Sequence, residues 1–220
     1  MQIHEPFHEG ELSVQQRANE AEIAQRNGGV IADTILKGAL PFIGQQPLAV
    51  CGSLDPDGNV WASVLVGEPG FLLARDERTV ELDVTQPLSA EDDPLWSNIQ
   101  TNGEVGMLVI ELATRRRLRI NGQIRRLNDS RFQFAVDQSY PNCPKYIQRR
   151  HLLLSSTDVA PQSVVTQRGV RLGDDQAALI ASSDTLFVAS ANPGHGVDTS
   201  HRGGQPGFVR VLDDRRIRIP

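Results

Sequence analysis

"VDTSHRGGQPGFVRVLDDRRIRIP", residues 197–220, is the stretch on which the fold reading turns. A histidine and an arginine stand among glycines, a Pro-Gly pair makes a tight corner, and alternating apolar residues follow. The same order occurs earlier, in "PLAVCGSLDPDGNVWASVLVGEPGFLLARDERTVEL", residues 47–82. Val60 falls on Val197, Ser63 on Ser200 and Gly67 on Gly204, and Pro69, Gly70 and Phe71 fall on Pro206, Gly207 and Phe208. Asp76, Arg78, Val80 and Leu82 then match Asp213, Arg215, Ile217 and Ile219. Leu48 is set on Leu186 by shortening the second copy's turn by one residue. A shared Ser-x-x-x-Gly-x-Pro-Gly-Phe in register marks an internal duplication of the form strand, turn, strand, tight corner, strand.

The copies differ where it matters for chemistry. Between the shared Ser and Gly the first reads "VLV" (64–66) and the second "HRG" (201–203). Apolar residues suit packing. A histidine and an arginine beside glycines, whose backbone N–H groups are open to approach, suit an anion. The bland alternative is a basic turn in solvent; a polar swap on a matched scaffold favours the anion site.

Outward from the two copies, residues 9–27 read as one helix that "NGG" ends, and residues 30–46 as a shorter helix stopped at Pro41. "DPDG" (55–58) is a turn. Residues 105–127 read as two strands joined around Ala113–Arg115. The "NG" at 121–122 is not taken as a hairpin, because Leu118, Ile120, Gly122 and Ile124 keep one period-2 phase through it; a glycine kink or bulge is expected. "DSRFQFAVDQ" (129–138) reads as a helix with an Asp N-cap. A helical turn is expected from Lys145, a polar connector over 155–168, and a last helix near Asp174–Ser182.

The chain has 220 residues, 39% hydrophobic and 22% charged, with a net charge of −5. This is globular composition, and the acidic balance argues against a general nucleic-acid binder. The arginines of "TRRRLR" (114–119) and "YIQRRH" (146–151) are read as solvating exposed faces. No apolar run spans a membrane. No secretory pattern opens the sequence and the two cysteines, Cys51 and Cys143, lack a pairing motif, so a soluble protein of the cytoplasm is expected. His4, His8 and Glu9 fall short of a metal set with Pro6 between them, and no metal is assigned. Cys143 is read as a semi-buried loop cysteine.

Three stretches together resemble the pyridoxamine 5'-phosphate oxidase-related proteins, the FMN-binding split-barrel flavoproteins. They are "FHEGELSVQQR" (7–17), "YPNCPKYIQRR" (140–150), which is similar to a signature of a two-barrel branch, and residues 184–220. The resemblance implies a mainly β (α+β) fold: a split β-barrel of the FMN-binding type, an N-terminal helical arm (1–44), a first barrel with helices (45–153), a connector and helix (154–183), and the start of a second barrel (184–220). It implies FMN as cofactor, with Ser200 and Arg202 on the phosphate, helped by His201 and the N–H groups of Gly203 and Gly204. Pro206, Gly207, Phe208 and Val209 would line the ring, and Lys145 and Tyr146 would close the pocket; a packed aromatic is the alternative for Tyr146.

The first copy continues through further strands, whereas the second stops at Pro220, so the second barrel is expected to be incomplete. A truncated product, or a second subunit that supplies the edge, would account for this, and a homodimer is expected. The implied function is that of a flavin-dependent oxidoreductase acting on a small-molecule redox substrate, with no side chain assigned as catalytic acid or base. A non-catalytic flavin- or haem-binding module, and a scaffold without cofactor, stand as alternatives.

Overall fold

The computed structural model describes residues 6–85, 89–90, 92–151 and 169–220. Strands β1 (Leu48–Leu54), β2 (Val60–Val66), β3 (Leu72–Ala74), β4 (Thr79–Asp83), β5 (Glu104–Glu111), β6 (Arg116–Asn128) and β7 (Arg131–Pro141) form one antiparallel sheet in the order β2-β1-β5-β6-β7-β4-β3. Every one of them points at least one residue into a single core, among them Cys51, Leu65, Leu72, Leu82, Met107, Ile120 and Phe134. A flat sheet cannot gather all its strands around one core, so the sheet curls into a barrel. It is split between β2 and β3, which the Gly67–Phe71 corner joins. Helices α3 (Leu40–Gly44) and α4 (Pro94–Thr101) add Phe42, Ile43, Leu95 and Ile99 to the same core.

Alternation explains most strands, but β1 and β5 are apolar nearly throughout because both of their faces are covered. Val105, Met107 and Val109 face the barrel core, while Leu108 and Ile110 join Val50 and Ile147 in a second cluster outside it. What covers the outer face is the hairpin of β8 (Thr185–Asn192) and β9 (Gly196–Gly203). Gly52 and Gly106 permit the approach: a Cβ on Gly106 would lie 2.5 Å from the Val197 carbonyl oxygen, and one on Gly52 2.6 Å from Thr199 Oγ1. The Thr199 hydroxyl donates to the Gly106 carbonyl at 2.8 Å. A second, smaller hairpin, β10 (Arg210–Asp213) and β11 (Arg216–Arg218), lies beside helix α5 (Asp174–Ser182).

Several expectations meet the structure as written, including the "DPDG" turn, the hairpin over Ala113–Arg115 and α5. The "NG" dipeptide runs inside β6, with a register shift at Asn121/Gly122; a Cβ on Gly122 would sit 2.0 Å from the Ala135 carbonyl oxygen. Residues 129–138 are not helix: 129–130 form a turn and 131–138 belong to β7. Phe132, Phe134 and Val136 alternate into the core, and Asn128 Oδ1 takes the Ser130 N–H at 2.9 Å in a tight β6–β7 turn. The single N-terminal helix is two, α1 (Glu9–Arg17) and α2 (Ala21–Gly28), broken where Asn19 adopts φ 56°.

Pro41 starts α3 instead of stopping a helix, because the first turn has no use for the N–H that proline lacks. Lys145–Tyr146 is a turn, not helical, with Tyr146 at φ 69°. The connector lies outside the described residues. Hairpin register also removes the one-residue shortening: Leu48 pairs with Val66 as Thr185 pairs with Gly203, so Thr185, not Leu186, occupies the position of Leu48. Among the described residues no helix is long and apolar enough to cross a membrane.

The seating of β9 yields a prediction. Gly106→Ala should lower the unfolding free energy by about 1–3 kcal/mol, the usual cost of overpacking. Gly38→Ala, whose Cβ would meet nothing within 4 Å, should leave it unchanged or slightly raised. Equal urea midpoints for the two variants would contradict this seating.

Candidate functional site

Strand β9 alternates its side chains, and this divides the "SHR" triplet. Val197, Thr199 and His201 face the barrel, whereas Ser200 and Arg202 share the other face. Ser200 is buried, its hydroxyl 3.5 Å from the Val188 carbonyl oxygen. Arg202 is exposed, and among the described residues its guanidinium has no hydrogen-bond or ion-pair partner. The Gly204 N–H is already committed, donating to the Asp184 carbonyl at 3.0 Å.

The loop after β7 is seated on the end of this strand. A Cβ on Gly203 would lie 2.0 Å from the Tyr146 carbonyl oxygen, so only glycine admits the loop there. Gln148 Nε2 donates to the Gly204 carbonyl at 2.8 Å, and Ile147 is buried against Val50, Leu108 and Ile110. Lys145 and Tyr146 therefore arrive beside Gly203. The Lys145 ammonium stands 5.5 Å from the centre of the Tyr146 ring, which is 64% exposed. Cys143 is exposed rather than semi-buried.

His201 is 2% exposed, with its ring edge-on to Phe187. Burial, then the charges of Arg117 and Arg202, push its pKa down to about 4. It is neutral at pH 7, with Nδ1 accepting from Arg117 Nη1 at 3.1 Å and the ring proton on Nε2, which is buried without a partner among the described residues. Arg117 Nη2 in turn donates to the Cys143 carbonyl at 2.8 Å. His201 thus anchors an arginine that holds the loop. The Pro206–Gly207 corner is exposed, Gly207 having φ 86°, and Val209 is buried. Phe208 packs on Gly204, and Gly207 and Phe208 open on a 340 Å³ cavity shared with Arg210, Arg218 and Ile219.

Sequence reasoning missed Arg117 and Arg119 by assigning "TRRRLR" to solvent. The Arg119 side chain is only 15% exposed and donates to Asp198 Oδ2 at 2.6 Å. The Tyr140 hydroxyl donates to the other Asp198 oxygen at 3.1 Å, and burial, then Asp198, pushes its pKa up to about 12. These groups line a 330 Å³ cavity with Phe7, His8 and His195. The available signal was the alternation Arg117-Leu118-Arg119-Ile120, which puts both arginines on the face away from the core. His8 is the N-cap of α1, its Nδ1 accepting from the Gly10 N–H at 3.0 Å, and His4 lies outside the described residues.

No protein-family model and no curated protein matches the chain. Solved structures that it is similar to include a Lactobacillus delbrueckii protein described as a pyridoxamine 5'-phosphate oxidase, at 10% identity and TM-score 0.38 over 50% of this chain and 95% of that one. HupZ of Group A Streptococcus is similar at 10% identity and TM-score 0.38, over 49% of this chain and 94% of HupZ. An FAD-binding protein from Mycobacterium smegmatis is similar at 12% identity and TM-score 0.35, over 51% and 99%.

The depressed pKa of His201 has a signed consequence. Between its ordinary value of 6.5 and about 4, the unfolded chain binds a proton that the native one excludes. Stability contributed by the neutral ring is complete above pH 6.5 and is lost as pH falls toward 4, by up to about 1.4 kcal/mol per pH unit. His201→Asn keeps an acceptor for Arg117 but cannot titrate, so its unfolding free energy should fall less steeply with acid over that window. Parallel profiles for wild type and variant, measured by urea unfolding, would contradict the assignment.

Proposed function

We propose that the chain binds FMN and works as a flavin-dependent oxidoreductase related to pyridoxamine 5'-phosphate oxidase. The observation that carries this reading is the meeting of two distant segments, loop 142–148 and the end of β9, beside a guanidinium that has no hydrogen-bond or ion-pair partner among the described residues. The planar fork of Arg202 suits two phosphate oxygens at once. Ser200, on the same face of β9, and Lys145, from the loop, complete the phosphate set.

His201 leaves that set, because a neutral ring turned toward the barrel offers an anion no charge. Its part is to hold Arg117, and through it the Cys143 carbonyl, so that the loop stays in place. The corner at Pro206–Val209 would meet the ring, the glycine there offering backbone without a Cβ. When bound, a flavin supplies the two-electron redox chemistry; this chain supplies position and electrostatics. A small-molecule redox substrate and a homodimeric assembly belong to the same reading.

The test is FMN titration followed by flavin fluorescence. Arg202→Ala should weaken binding by at least about tenfold, as expected for loss of a hydrogen bond to a charged group. Arg78→Ala, which removes a surface pair with Asp33, should leave binding unchanged. Equal effects, or none, would sink the site. Reduction of the bound flavin by a nicotinamide favours an enzyme over a non-catalytic binder, and inertness toward physiological reductants favours the binder.

A further inference from the structure

A groove of 550 Å³ runs between the segment that leads into α3, the tip of the β5–β6 hairpin and the start of the loop after β7. Its volume is in the range of small-molecule sites. Leu36, Ala39, Phe42, Leu118, Pro141 and Pro144 give it an apolar lining, and Leu36 is 61% exposed at its lip. Three consecutive arginines stand along the hairpin side, and among the described residues no carboxylate lines the groove.

Two of the three are already engaged. Arg116 pairs with Glu111 at 2.8 Å and lies over the Phe42 ring, while Arg117 holds His201 and the Cys143 carbonyl. Arg115 is exposed at the hairpin tip and, among the described residues, has no hydrogen-bond or ion-pair partner. An apolar trough with one uncommitted guanidinium at its end, the nearby Glu111 carboxylate being taken up by Arg116 and Thr114, matches a molecule with an apolar body and a terminal carboxylate. The geometry points to a binding site for an apolar monocarboxylate in this groove, its carboxylate on Arg115 and its body against Phe42, Leu36 and the two prolines. The groove is lined by Pro141, Asn142 and Pro144, whereas the flavin reading uses Lys145 and Tyr146, the next residues of the loop.

Gly38 offers a way to block it, since a Cβ there would meet nothing within 4 Å. Arg115 has φ 58°, a conformation asparagine tolerates, so Arg115→Asn removes the charge without disturbing the turn. The experiment is calorimetric titration of the full chain with octanoate, and with 1-octanol as the uncharged comparator. Octanoate should bind once per chain, at least about tenfold more tightly than octanol given a charge-assisted hydrogen bond. Gly38→Phe should abolish that binding, and Arg115→Asn should bring octanoate down to the level of octanol. Both variants should keep the wild-type melting temperature and FMN affinity. No saturable octanoate binding, equal affinity for octanoate and octanol, or unchanged octanoate binding in the two variants would each overturn the proposal.

Discussion

Backbone-to-backbone contact between β9 and the outside of the barrel is the constraint on which the rest of this structure depends. The Val197 carbonyl lies where a side chain on Gly106 would have to be, and Thr199 and Val197 occupy the space a side chain on Gly52 would need. Two missing Cβ atoms let a hairpin lie flat on β1 and β5. That contact in turn makes both faces of β1 and β5 interior, which is why their sequences are apolar without alternation. Gly52 also abuts Ala189, which holds the same register position in β8 that Gly52 holds in β1, so the hairpins β1–β2 and β8–β9 meet through equivalent places.

Once β9 is seated, its polar residues are fixed against β6. Arg119 reaches Asp198, and Arg117 reaches His201 and then the Cys143 carbonyl. These are partly buried, charge-assisted contacts, and each would be left unpaired if the hairpin moved away. The same seating brings Gly203 under the Tyr146 carbonyl, closing the junction between loop and strand. Among the described residues Arg202 alone of these arginines stays without a hydrogen-bond or ion-pair partner, which is what the proposed phosphate site uses.

The barrel was largely legible because its strands are bounded by turn chemistry and alternate in burial. Residues 129–138 misled because Asp129 resembles a helix cap, while the period-2 set Phe132, Phe134 and Val136 was given too little weight. The helix over 9–27 failed at Asn19, where nothing in the apolar spacing announces a positive φ. Within the candidate site, the nearness of "CPKY" to "SHRGG" came from a resemblance and from no local pattern, since contacts between residues 145 and 203 leave no periodic trace in sequence. The split of His201 from Ser200 and Arg202 follows from strand alternation alone, but the resemblance grouped all three on the phosphate and the alternation was not applied. The burial of Arg117 and Arg119 was not legible, because it depends on a hairpin that arrives about 80 residues later and covers them.

The central claim is that the seated β9 and loop 142–148 together hold a flavin phosphate. The most direct measurement is the absorbance spectrum of the purified protein, followed by heat release and chromatographic identification of any chromophore. A flavin spectrum and released FMN, or uptake of added FMN in a one-to-one ratio, is the expected result. A colourless protein that takes up no FMN would contradict it.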